Sequence, residues 1–137
     1  MTTIQVTKTL AQAWPLVIAL AAIVGCSSGY SSGEKLAPVT GTVTVNGKAM
    51  AGINVMFEPV ESGGASRGTT DDEGKFEVYF TLNEKGAIPG KHHVQFELKG
   101  EGVDPNLIPK KYAFGSPGIE ADVEPEGPNV FTFDLTK

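Results

Sequence analysis

Histidine is the side chain whose charge changes near neutral pH, so the chain's two histidines, the adjacent pair His92 and His93, are the first candidates for acid–base or metal chemistry. They stand in the alternating segment "GKHHVQFELKG", and neighbouring residues of a strand point to opposite faces. One ion cannot take both, and a third ligand would have to arrive from elsewhere. The carboxylates Asp71, Asp72 and Glu73 would suit a hard cation, but the spacing of a twelve-residue calcium loop is absent. A tight turn in which Asp71 caps backbone N–H groups is the expectation. Asp122, Glu124 and Glu126 form a second acidic stretch with the same reading. No serine stands in a nucleophile-elbow motif. These residue types point to a protein that is not an enzyme, with no catalytic residue, no metal and no cofactor.

The remaining reactive side chain is the lone thiol, Cys26, placed where "WPLVIALAAIVG" stops and "SSGYSSGEKLAP" begins. As a helix, the uncharged run Trp14–Gly25 would be about 18 Å long, short of the roughly 20 residues that cross a bilayer. Its length and small terminal residues suit a secretory signal peptide over residues 1–25. With one cysteine there is no internal disulfide, so the exported domain must stand on packing alone. Residues 26–38, rich in Ser and Gly, read as a flexible tether of about 40 Å when fully stretched.

Removing the first 25 of 137 residues leaves 112, enough for one domain. Seventeen glycines and nine prolines among short alternating runs argue against a helical bundle. The net charge of −5 argues against nucleic acid and anionic membrane surfaces as partners.

Residues 39–137 carry the strand signals. In "VTGTVTV", Val39, Gly41, Val43 and Val45 share one face and the threonines the other. Asn46-Gly47 is a hairpin turn signal. "INVMFEP" puts Ile53, Val55 and Phe57 inward, and Pro59 stops it. "RGTT" and "KFEVYFTL", joined by the acidic turn, read as a hairpin with Phe76, Val78 and Phe80 on one face. The histidine segment puts His92, Val94, Phe96 and Leu98 on one side and His93, Gln95 and Glu97 on the other. "IEADV" and "NVFTFDL" close the domain, with Phe131, Phe133 and Leu135 inward. Seven strands without a helix predict an all-β, two-sheet sandwich, with Phe57, Phe76, Phe96 and Phe133 at its centre. The long segment 100–118 fits no strand, and long irregular segments are often functional. Lys110, Lys111, Tyr112 and Phe114 in it form a candidate interaction surface for an envelope protein. The competing expectation is that Leu107, Ile108, Tyr112 and Phe114 cover an open end of the sandwich. A module binding a carbohydrate or other small ligand is the alternative, and it requires a concave cluster of aromatics such as Tyr79 and Tyr112.

Two resemblances sharpen this reading. "IVGC", Ile23 to Cys26, resembles the lipobox of bacterial lipoproteins. That resemblance implies diacylglycerol on the Cys26 sulfur, cleavage after Gly25, and acylation of the freed amine, palmitate being the expected chain. The lipid bilayer is then a partner, and two or more chains anchor stably where one is marginal. The runs "VTGTVTVNGKAMAGINVMFEP", "GTTDDEGKF", "GAIPGKHHVQF" and "NVFTFDL" resemble carboxypeptidase regulatory-like, transthyretin-like domains, as carried by small lipoproteins of the planctomycete type. The likeness covers nearly all of Val39 to Leu135. It implies a seven-stranded Greek-key sandwich and no reaction. Enzymes of this fold that hydrolyse hydroxyisourate end in a Tyr-Arg-Gly-bearing tetrapeptide, whereas this chain ends "FTFDLTK". The expected protein is a noncatalytic lipoprotein of the cell envelope, anchored to the cell membrane or outer membrane and facing outside the cytoplasm.

Overall fold

The computed structural model describes residues 32–137. The signal peptide assigned to 1–25, Cys26, and the first part of the tether lie outside the described residues. Ten strands form two sheets: β1 (Val39–Val45), β2 (Lys48–Ala49), β3 (Ile53–Pro59), β4 (Ser66–Thr69), β5 (Lys75–Glu77), β6 (Tyr79–Thr81), β7 (Glu84–Lys85), β8 (Gly90–Leu98), β9 (Ile119–Val123) and β10 (Asn129–Leu135). One sheet has the order β10-β1-β2, with β5 also paired to β1; the other has the order β7-β6-β4-β3-β8-β9. This is an all-β, two-sheet sandwich. The excess over seven strands comes from the short strands β2 and β7 and from a split of "KFEVYFTL".

The split has a physical cause at Val78. β5 pairs with β1 in the smaller sheet, while β6 pairs with β4 in the larger one. Val78 is the crossing point: its N–H donates to the Val39 carbonyl (3.1 Å) and its carbonyl accepts from Gly86 (2.8 Å), while its side chain is fully buried. The acidic turn therefore joins strands of different sheets, and the expected hairpin becomes a stitch between the layers.

Alternation sets the interior. β1 and β3 bury every other residue, and Asn46 takes a positive φ of 50° at the predicted turn after β1. β1 also runs parallel to β10 in continuous register, Val39 opposite Asn129 through Val45 opposite Leu135. Gly41 lies between the Phe131 carbonyl and the Phe76 ring, where a Cβ would overlap both. Its lack of a side chain is what lets those groups approach.

Between the sheets lies an aromatic seam. Phe57, on the larger sheet, has ring centroids 6.3 Å from Phe76, 5.6 Å from Phe131 and 6.3 Å from Phe133, all on the smaller sheet. Phe96 of the larger sheet meets Phe133 edge-on at 5.3 Å. These separations suit tilted and edge-to-face ring pairs, which add to the burial of apolar area. Phe57, Phe76, Phe96 and Phe133 are all buried, as alternation predicts.

Segment 100–118 contains a single 3-10 turn at Lys110–Tyr112. Ile108 is buried in the core, and Leu107 and Tyr112 pack against it. Gln95, expected on the outer face, is buried because this segment lies over it. Its amide grips the loop from both ends: Gly115 N–H donates to Oε1 (3.1 Å) and Nε2 donates to the Ser116 carbonyl (2.7 Å). Phe57→Ala removes the ring shared by both sheets. Chemical denaturation should show a loss of about 3–5 kcal/mol, and a loss below about 1 kcal/mol, the size of a surface change, would contradict the central place of the seam.

Candidate functional site

The strands separate the sequence candidates for chemistry. His92 is 1% exposed and faces the core, with its ring edge-on to Phe57 at 5.8 Å. Its Nδ1 is 2.9 Å from the Gly90 carbonyl oxygen, which only accepts, so the ring hydrogen belongs on Nδ1. Nε2 is buried without a hydrogen-bond partner among the described residues. Burial pushes the His92 imidazole below its ordinary value, outweighing the upward pull of the Gly90 carbonyl and of Asp122. His93 points to the opposite face, so the two histidines share no site.

Asp71 is consumed by its own turn: Oδ1 accepts from the N–H groups of Glu73 and Lys75, each at 2.9 Å. Glu73 pairs with Lys75 at 3.0 Å on the exposed surface. Asp122, Glu124 and Glu126 are exposed along β9 and the turn after it. Among the described residues no group of three His, Cys, Asp or Glu side chains is arranged to hold a metal. No described helix is long and apolar enough to cross a membrane.

The candidate interaction surface divides in two. Lys110 and Lys111 are exposed, whereas Tyr112 and Phe114 are half-buried. Lys111 Nζ lies 4.8 Å from the Tyr112 ring centroid, within cation–π range. Lys110 and Lys111 share a hollow of about 380 Å³ with Asn106 and Lys137. The segment thus covers apolar core with one side and presents lysines with the other.

A larger concavity than this hollow lies on the outer face of the smaller sheet. Register places two rows across that face: Val130, Thr40 and Glu77, then Thr132, Thr42 and Lys75. Because the chain leaves this sheet at Val78 and returns in the other, β4, β6 and the turn after β6 rise beside the rows as a wall. The resulting cleft, about 1050 Å³, takes Arg67, Tyr79, Phe80 and Leu82 from that wall and Thr40 and Val130 from the floor. Leu82 is 97% exposed and Val130 69%, and with Val60 at 47% they are the large apolar side chains left open to solvent among the described residues. Tyr79 donates its hydroxyl to Glu77 (2.9 Å), and with Lys85 nearby this holds the Glu77 carboxyl below its ordinary range. Arg67 lines both this cleft and a neighbouring hollow that it shares with Asn54, Glu97, Lys99 and Phe114.

Of these lining residues, the sequence names Tyr79 as a ligand aromatic and places the threonines on an outer face. Phe80, expected on one face with Phe76 and Val78, is only partly buried and lines the cleft, because the crossing at Val78 breaks the alternation. Arg67, Leu82 and Val130 went unremarked. A usable signal existed for two of them: Val130 is apolar at an outward position of a strand, and Leu82 is apolar inside the polar turn "TLNEK".

The chain matches no protein-family model, and no curated protein or solved structure matches it. The fold and the two surfaces therefore carry the functional reading by themselves.

Because His92 is neutral in the fold and its pKa is lowered from 6.5, the unfolded state takes up its proton first as pH falls. Stability contributed by the neutral ring is complete above that value and declines below it. Unfolding free energy measured from pH 8 down to about 5, above the carboxylate range, should fall with acid in the parent chain and stay flatter in His92→Leu. An equal slope in both would contradict this assignment.

Proposed function

We propose that the chain is a noncatalytic lipoprotein of the bacterial cell envelope, anchored through acylated Cys26 and acting by binding. In this reading the sandwich is a Greek-key domain of the carboxypeptidase regulatory-like, transthyretin-like kind. The order of the sequence supports the anchor: an apolar run, then "IVGC", then a Ser/Gly-rich segment, then a domain. The domain meets that segment early, since Ser32 N–H and Oγ donate to the Glu84 carboxylate and Ala37 pairs with Ala87. The observation that carries the binding role is the exposure of Leu82 and Val130 on one cleft. Apolar area left in water on a concave surface is the usual mark of a contact awaiting its partner.

A second reading, a small-ligand or carbohydrate module, is favoured by the same cleft. Thr40 and Thr42 offer hydroxyls beside the Tyr79 ring. Aromatic faces next to such hydroxyls suit a sugar, with polar groups fixing its orientation.

Metabolic labelling with a fatty acid should mark the parent protein and leave Cys26→Ser unmarked; equal labelling would end the anchored reading. The binding surface is tested by crosslinked capture from intact cells. Arg67→Glu with Tyr79→Ala should reduce capture more than Lys110→Glu with Lys111→Glu, with thermal midpoints close to the parent's. The reverse order would assign recognition to the lysine loop.

A further inference from the structure

An edge strand presents unpaired N–H and C=O groups, and proteins that stay single guard such edges by shortness, charge or proline. Three of the edge regions here are guarded in that way. β7 has two residues, Glu84 and Lys85; β2 has two and β5 three, with Lys48, Lys75 and Glu77 among them; and β9 carries Glu120 and Asp122 on its exposed positions. β10 differs. It is seven residues long, "NVFTFDL", with no proline and no lysine, and it pairs only with β1. No other described segment makes a backbone hydrogen bond to its residues between Val130 and Asp134. Val130 is 69% exposed, and Phe131 is only partly buried although its ring stacks on Phe133 at 5.8 Å. The single charge, Asp134, is turned to its own molecule, accepting from Thr44 Oγ1 (2.8 Å) and Gly47 N–H (3.1 Å).

We propose that β10 pairs antiparallel with β10 of a second copy, joining the two smaller sheets across a two-fold axis at Thr132. The sequence of the strand fits itself in that register, which uses all seven residues. On the inner face Phe131 meets Phe133 of the second copy, an aromatic pair of the kind that stabilises adjacent strands. On the outer face Thr132 meets its own counterpart, and Val130 faces Asp134 of the second copy, so no like charges are opposed. The contact is isologous and closes on itself, giving a dimer and not a fibre. A single strand pair is a small interface, below about 1,200 Å², and confinement to a membrane would raise its occupancy by effective concentration. The pairing itself does not depend on the anchor.

The register makes the test specific. In the full-length chain, Thr132→Cys places two thiols across the axis at a Cβ separation of about 4.5–5.5 Å, close to what a disulfide needs. Val130→Cys, equally near the edge, is four residues from the position opposite its own counterpart, or about 13 Å away. Mild oxidation of membranes should give a disulfide-linked dimer for Thr132→Cys and lose it for Val130→Cys and for the parent chain, which reports any reaction of Cys26. Introducing Val130→Cys and Asp134→Cys together should restore the dimer. Absence of a Thr132→Cys dimer, or a Val130→Cys dimer of equal yield, would overturn the proposal. Circular dichroism of each variant matching the parent excludes misfolding as the source of either result.

Discussion

The contact on which the rest of the molecule depends is the meeting of Phe57 with Phe76, Phe131 and Phe133 across the gap between the sheets. Neither sheet can bury its apolar face alone, and a single cysteine leaves no internal disulfide to hold them. The ion pairs, Lys75–Glu73, Lys85–Glu77 and Lys99–Glu97, involve exposed lysines and contribute little. Packing carries the fold. It also explains the fate of His92, whose ring fills the seam beside Phe57 and is withdrawn from chemistry by being there.

The same packing shapes the surface. Val78 must be buried and must also carry the chain from one sheet to the other, so the strand that would have continued over the smaller sheet rises beside it. The cleft is the space left by that departure. At the other flank, the Gln95 amide holds segment 100–118 by its backbone, allowing an irregular stretch rich in Gly and Pro to cover the core through Ile108. Irregular backbone is acceptable over a core only when its polar groups find partners, and Gln95 supplies two.

Period-two alternation made the interior readable: Phe57, Phe96 and Phe133 are buried where their strands require it, and the Asn46-Gly47 turn stands where its residue types demand. The sheet exchange at Val78 was not readable, because an apolar residue continues the alternation whichever sheet receives it. The parallel pairing of β1 with β10 joins residues about 90 positions apart, and nothing local in either strand specifies that neighbour. Gln95 keeps the outward position that alternation gives it, but its burial was not readable, because nothing local shows that segment 100–118 lies over it. The cleft was half legible. Its threonines were assigned to an outer face, but Leu82 and Val130 signal a binding surface only once the wall and the floor are seen to adjoin.

In the function proposed above, the open apolar cleft is the binding surface, and acylation of the lone thiol ahead of the domain would hold that surface at a membrane. The most direct test is the intact mass of the protein recovered from the membrane fraction. A chain beginning at Cys26 and heavier than its polypeptide by a diacylglyceryl group and an amide-linked acyl chain is the predicted result. A chain retaining Met1 with an unmodified Cys26 would contradict the account.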